Sequence, residues 1–140
     1  MIYTGQTHKE GNKPSRRYDE MWSIMRYPTQ GLACTTIHHP ELAPSPKLFD
    51  TFKELQAAKN WNVDTFRSIY VPTFIREIAD NDKARASLNY LYKNKDSGRE
   101  IILLCSCAKE ELCHRSIVYG LLDTSGEYFR MYMEFRNPQT

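Results

Sequence analysis

The chain has 140 residues and a formal net charge of +2, from 19 Lys and Arg against 17 Asp and Glu. That length suits one domain with one core, and nine Tyr, six Phe and two Trp can fill it without a disulfide or metal staple. The near-neutral balance gives no support to a general nucleic-acid binder, and no run approaches the ~18 apolar residues of a membrane span. Met1–Lys13 is polar and lacks the apolar centre of a secretory leader. Four cysteines (Cys34, Cys105, Cys107, Cys113) therefore read as reduced thiols of a cytoplasmic protein.

Met1–Thr4 reads as a short opening strand closed by Gly5, and Gln6–Arg17 as a polar surface loop. Met21–Tyr27 is a second strand, stopped by Pro28 and Gly31. Leu32–Ile37 is a third, ahead of His38, His39 and Pro40. Helices fill the middle of the chain. Ser45 can cap and Pro46 suits a first helical position, after which Leu48, Phe52 and Leu55 recur at helical spacing. Asn62 caps a second helix with Phe66, Ile69, Tyr70, Phe74 and Ile78 along one face, and Pro72 should kink or split it. Asp82 opens a third helix with Leu88, Leu91 and Tyr92 as its stripe, ending near Gly98.

Ile101–Leu104 is a continuous apolar run, the pattern of a central strand covered on both faces. Ser116–Leu122 is helical again. Phe129, Met131, Met133 and Phe135 alternate with polar or mixed residues and predict a C-terminal edge strand. Strands separated by helices give one α/β domain over 1–140, Rossmann-like, with a mostly parallel sheet flanked by helices.

Ligands of open α/β sheets collect beyond the carboxyl ends of strands. Cys105–Arg115 occupies that place, with three Cys, one His and one Arg. A helix starting near Cys113 would offer free backbone N–H groups, and Arg115 a fork for phosphate or carboxylate. His114 could move a proton near neutral pH. A reactive thiol is the second reading, with Cys113 as candidate nucleophile beside His114. Arg115 follows Cys113 by two positions and Cys107 by eight, neither the phosphatase-loop spacing, and Cys105-Ser106-Cys107 is not a CxxC redox pair. A structural zinc domain built on Cys105, Cys107, Cys113 and His114 is the third reading. Because CxC and adjacent Cys-His wrap poorly around a tetrahedral ion, no metal and no cofactor is assigned.

The segment IILLCSCAKEELCHRSIVYGLL resembles the C-terminal signature of domain-of-unknown-function family 488, an apolar strand ending in Leu-Cys, an acidic insert, then Cys-His-Arg opening a helix. Leu42-Ala43-Pro44-Ser45-Pro46 with Trp61 through Tyr70 is similar to a second block, and Ile2-Tyr3-Thr4-Gly5 to the family's start. The resemblance implies a small Rossmann-like fold and carries no activity. Position by position it marks Cys105, Cys113, His114 and Arg115, with Ser45 and Tyr3 as further ligand-binding candidates. Cys107 departs from the pattern.

Arg26, ending the second strand, could point into the same crevice as Arg115. His38 and His39 read as loop residues, and Lys13, Arg16 and Arg17 as a solvated cluster. The expectation is a protein that binds a nucleotide-like or otherwise phosphorylated, anionic small molecule at the Cys-His-Arg helix start. Enzymatic use would make His114 and Cys113 catalytic, with Arg115, Cys105, Arg26, Ser45 and Tyr3 binding the ligand. The alternative is an interaction protein, such as a viral one, that binds a host protein or nucleic acid.

Overall fold

Strand β4 (Ile101–Cys105) is buried along its whole length, as an apolar run without alternation requires. The computed structural model describes residues 1–137, and β4 lies inside its sheet, between β1 (Ile2–Gln6) and β2 (Glu20–Ser23). Strand β3 (Thr36–His38) pairs with the far side of β2. All three pairings are parallel, in the order β1-β4-β2-β3. Gln6 lies opposite Cys105, and Ser23 opposite Leu104, so the carboxyl ends of three strands finish together.

The two faces of β4 are covered differently. Ile101 and Leu103 join the main core, formed largely by side chains of the helices. Ile102 and Leu104 instead pack with Met21, Tyr3, Tyr18 and Ala33. The segment after β1, expected as a plain surface loop, supplies part of that cover. It begins with a single π-helical turn (Thr7–Gly11) whose Thr7 and Gly11 are buried. A Cβ on Gly11 would lie 2.6 Å from Leu32, so a side chain there would force the segments apart.

Helix α1 (Pro46–Ala57) starts where Ser45 accepts the Leu48 N–H, with Pro46 at the first helical position. Asn62 and Thr65 form a reciprocal cap on the short α2 (Val63–Thr65). A π turn (Phe66–Tyr70) then leads into α3 (Val71–Ala79). Pro72 has no N–H to donate, and the chain accommodates it by widening the preceding turn. Asn81 caps α4 (Asp82–Asn94), one residue ahead of the expected start. Cys113 stands at the N-terminal boundary of α5 (His114–Gly120).

The C-terminal edge strand is corrected. Glu127–Arg136 forms a helix, α6, which buries Tyr132 and leaves Met133 exposed. The six apolar or aromatic side chains among its ten residues satisfy a period of 3.6 as well as a period of 2. Tyr128, Met131, Tyr132 and Phe135 share the helical stripe that packs on the core. The domain is α/β with a four-stranded parallel sheet and flanking helices. Among the described residues no helix is long and apolar enough to cross a membrane.

Candidate functional site

The Cys-His-Arg segment closes the carboxyl ends of three strands. His114 Nε2 donates to the Ile24 carbonyl just past β2, at 2.6 Å. Arg115 Nη1 donates to the carbonyls of Gly5 on β1 (2.7 Å) and Cys105 on β4 (3.2 Å). Both side chains are buried, at 5% and 3% exposure. A carbonyl can only accept, so the His114 proton sits on Nε2 and Nδ1 is turned toward sulfur. Nδ1 lies 3.8 Å from both the Cys105 and the Cys113 Sγ, and Cys105 Sγ lies 3.7 Å from that of Cys107.

This crowding separates the three thiols electrostatically. Hydrogen bonds from Cys107 and Cys113 hold Cys105 far below the ordinary thiol range against the effect of burial, and His114 adds to this. The same contact with Cys105 pushes Cys107 up to about 12 and raises Cys113. Burial alone would lower the His114 pKa, but the charge on Cys105 and the bond to Ile24 outweigh it, and the net direction is up.

Above this floor opens a recess of about 350 Å³. Cys105, Cys107 and His114 line its base, and Phe49, Phe52, Trp61 and Tyr70 line its walls. The wall rings contact edge to face, Phe52 with Trp61 at 4.8 Å and Trp61 with Tyr70 at 5.4 Å. Tyr70 stacks on Phe74, which meets the His114 ring edge-on at 5.6 Å. The π turn is what sets Tyr70 on this path. A second recess of about 410 Å³ shares Phe52, Gln56, Trp61 and Cys107 with the first, and adds Lys59 and Lys109. Together they make one cleft, apolar within and cationic at the mouth.

Lys59 occupies an unusual backbone position. Asn60 N–H bonds to Leu55 O and Lys59 N–H to Gln56 O, which closes α1 in a Schellman motif. The motif's left-handed residue, normally Gly or Asn, is Lys59 at φ 56°. A strained cation thus stands at the cleft mouth. Among the described residues neither Lys59 nor Lys109 forms an ion pair.

The sequence candidates divide between the cleft and its surroundings. Cys105, His114 and Arg26 line it, and Cys113 lies just beneath. Arg26 gives Nε to Pro44 O (2.7 Å) and Nη2 to Ala43 O (3.2 Å). Arg115 lies outside the lining: its Nη1 is engaged by two backbone carbonyls and staples the strands, while its buried Nε has no hydrogen-bond partner among the described residues and lies 3.7 Å from the Glu110 carboxylate. Ser45 is engaged by Leu48 N–H and the Glu77 carboxylate. Tyr3 packs against Tyr18 and accepts a bond from Arg16 on the other side of the sheet. His38 and His39 form no ligand cluster with the exposed Cys34. His38 donates to Met25 O, and His39 stacks on Trp22 at 3.8 Å.

The family model described as the active DUF488-N3 subclade matches residues 9–126. The chain belongs to the DUF488 family. The match contains β2, β3, β4 and every cleft residue named above, whereas β1 and Tyr3 lie outside it. No curated protein and no solved structure matches this DUF488 chain.

The residues that sequence reasoning missed in this DUF488 domain are the walls and the mouth. Phe52 and Tyr70 read as core positions on amphipathic helices, and Lys59 belongs to no motif in the sequence. One signal was available for Lys59. A helix ending without Gly or Asn at its left-handed position is unusual enough to mark the residue that replaces them.

Proposed function

We propose that this protein binds a nucleotide-like, phosphorylated small molecule in the cleft above the end of β4. The planar base would lie among Phe52, Trp61 and Tyr70, and the phosphate would reach Lys59 and Lys109. The observation that carries this reading is the continuity of the two recesses, one aromatic and one cationic, across Phe52, Gln56, Trp61 and Cys107. Their volumes fall within the usual range for small-molecule sites, and aromatic walls suit a flat heterocycle. The position beyond a parallel strand's carboxyl end supports the same reading.

The anion contacts differ from those that sequence spacing suggests. Helix α5 has only seven residues, and both Arg115 Nη1 bonds go to carbonyls, so the phosphate is assigned to the mouth and not to the helix start. The description of the matching family as an active subclade supports turnover of the bound molecule in addition to binding. His114 and the thiols beneath the base are the groups placed to take part. Four free cysteines support a reducing compartment, and we place the protein in the cytoplasm.

Isothermal titration of the full chain with the four common nucleoside monophosphates, the matching nucleosides and inorganic phosphate tests the proposal. Saturable binding of at least one nucleotide, tighter than its nucleoside and lost in Trp61→Ala, is the expected result. Absence of saturable binding by any nucleotide, or affinity unchanged in Trp61→Ala, refutes it.

A further inference from the structure

The floor of the cleft carries its own chemistry, whatever molecule the cleft takes. Cys105 Sγ, Cys113 Sγ and His114 Nδ1 lie within 4.8 Å of one another, and all three residues are buried. A tetrahedral zinc ion with ordinary bond lengths separates two sulfurs by about 3.8 Å and a sulfur from a nitrogen by about 3.6 Å. The observed separations are 3.8 Å from Nδ1 to each of the two sulfurs and 3.7 Å from Cys105 Sγ to Cys107 Sγ. Those three separations approach the edge lengths of a zinc tetrahedron; Cys105, Cys113 and His114 form the mutually close trio, and Cys107 adjoins it through Cys105.

The surroundings match as well. A metal-binding histidine characteristically donates its other ring N–H to a carbonyl or carboxylate, and His114 Nε2 donates to Ile24 O at 2.6 Å. Arg115 holds the Cys105 carbonyl, which fixes that residue's backbone, and places a buried positive charge near sulfurs that would be anionic. The objection from sequence spacing also falls away. Cys105 and Cys107 come from the end of β4, and Cys113 and His114 from the start of α5. The ligands thus approach from two elements, and neither close pair has to wrap the ion alone.

We propose that Cys105, Cys113 and His114 Nδ1 bind a zinc ion, with Cys107 as the fourth ligand on the cleft side. Bond formation releases the thiol protons to water, and nothing is oxidised or reduced. Cys107 is the only one of the four that is not fully buried, so it is the ligand a cleft-bound molecule could reach.

Two measurements on reduced full-length protein decide the matter. With cobalt(II) as the probe, one equivalent should bind and give sulfur-to-metal charge-transfer absorption together with tetrahedral ligand-field bands. Cys113→Ser should abolish this spectrum, and Cys107→Ser should keep a weaker charge-transfer band. Wild-type protein supplies the second readout, independent of how variants fold. Zinc should reduce Cys107 alkylation by at least tenfold while the exposed Cys34 reacts at an unchanged rate, and a chelator should restore Cys107. Cobalt binding without charge transfer, or alkylation of Cys107 unaffected by zinc, overturns the proposal.

Discussion

Cys105 Sγ and His114 Nδ1 lie 3.8 Å apart although nine positions separate them in the chain. Arg115 helps fix that approach, because Nη1 grips the carbonyl of Cys105 and, through Gly5, ties β1 to β4. Replacing Arg115 with Ala would orphan two carbonyls at the strand ends. Each orphaned group costs a few kcal/mol at most, so a loss of about 3 kcal/mol is expected. Urea denaturation measures it. Unchanged stability with selective loss of nucleotide affinity would return Arg115 to the role of anion clamp.

Lys59 separates stability from function in the opposite sense. Its left-handed conformation costs roughly 1 kcal/mol relative to Gly. Lys59→Gly should therefore raise the urea midpoint while weakening the binding of phosphate-bearing ligands. Thermal melts and calorimetry on the same variant check both halves. A destabilised Lys59→Gly would mean that the lysine is held by contacts outside the proposed role.

Acid stability should depend on Glu41. Burial alone would raise its pKa, but hydrogen bonds from Ser87 and His39 outweigh it, and the net direction is below the ordinary 4.5. A folded-state pKa below the unfolded one gives stability that is complete above about pH 4.5 and is lost as pH falls through the folded value. Glu41→Gln should flatten that limb of a stability-against-pH curve and leave its slope near neutrality unchanged. An unaltered acid limb would assign the effect to other carboxylates.

The helical state of the C-terminus has a direct packing consequence. A Cβ on Gly120 of α5 would meet the Tyr128 ring of α6 at 2.6 Å. Gly120→Ala should cost about 1–3 kcal/mol by overpacking, and Gly120→Ala with Tyr128→Ala should recover part of that loss. Additive losses measured by denaturation would contradict the contact between α5 and α6.

Much of the architecture is legible in the residues themselves. An unbroken apolar run specifies β4 because a strand covered on both faces has no polar side, and Ser45, Pro46 and Asn62 mark helix starts through their own hydrogen bonds. The segment Glu127–Arg136 resists the same reasoning, since Tyr, Phe and Met at successive positions obey both periods and only packing on α3 and α5 decides. Cys105 and Cys113 were recognisable as a pair with His114, yet spacing along the chain could not show that two elements present them to one point. The stapling role of Arg115 has no sequence signature because the partners of its Nη1, at Gly5 and Cys105, are main-chain carbonyls. Trp61, Phe52 and Lys59 come together only once α1 and the π turn are folded over β4.

The most direct test of the cleft is a nitrogen-15 amide spectrum of the reduced, full-length chain titrated with the nucleoside monophosphate that binds most tightly. Shifts should concentrate at Ser106–Lys109 and Lys59–Trp61, with the side-chain indole of Trp61 among the largest and that of Trp22, buried in β2, unmoved. Shifts confined to Arg16, Glu20 and Arg99 at the amino-terminal ends of the strands, or no shifts at saturating nucleotide, would contradict the account.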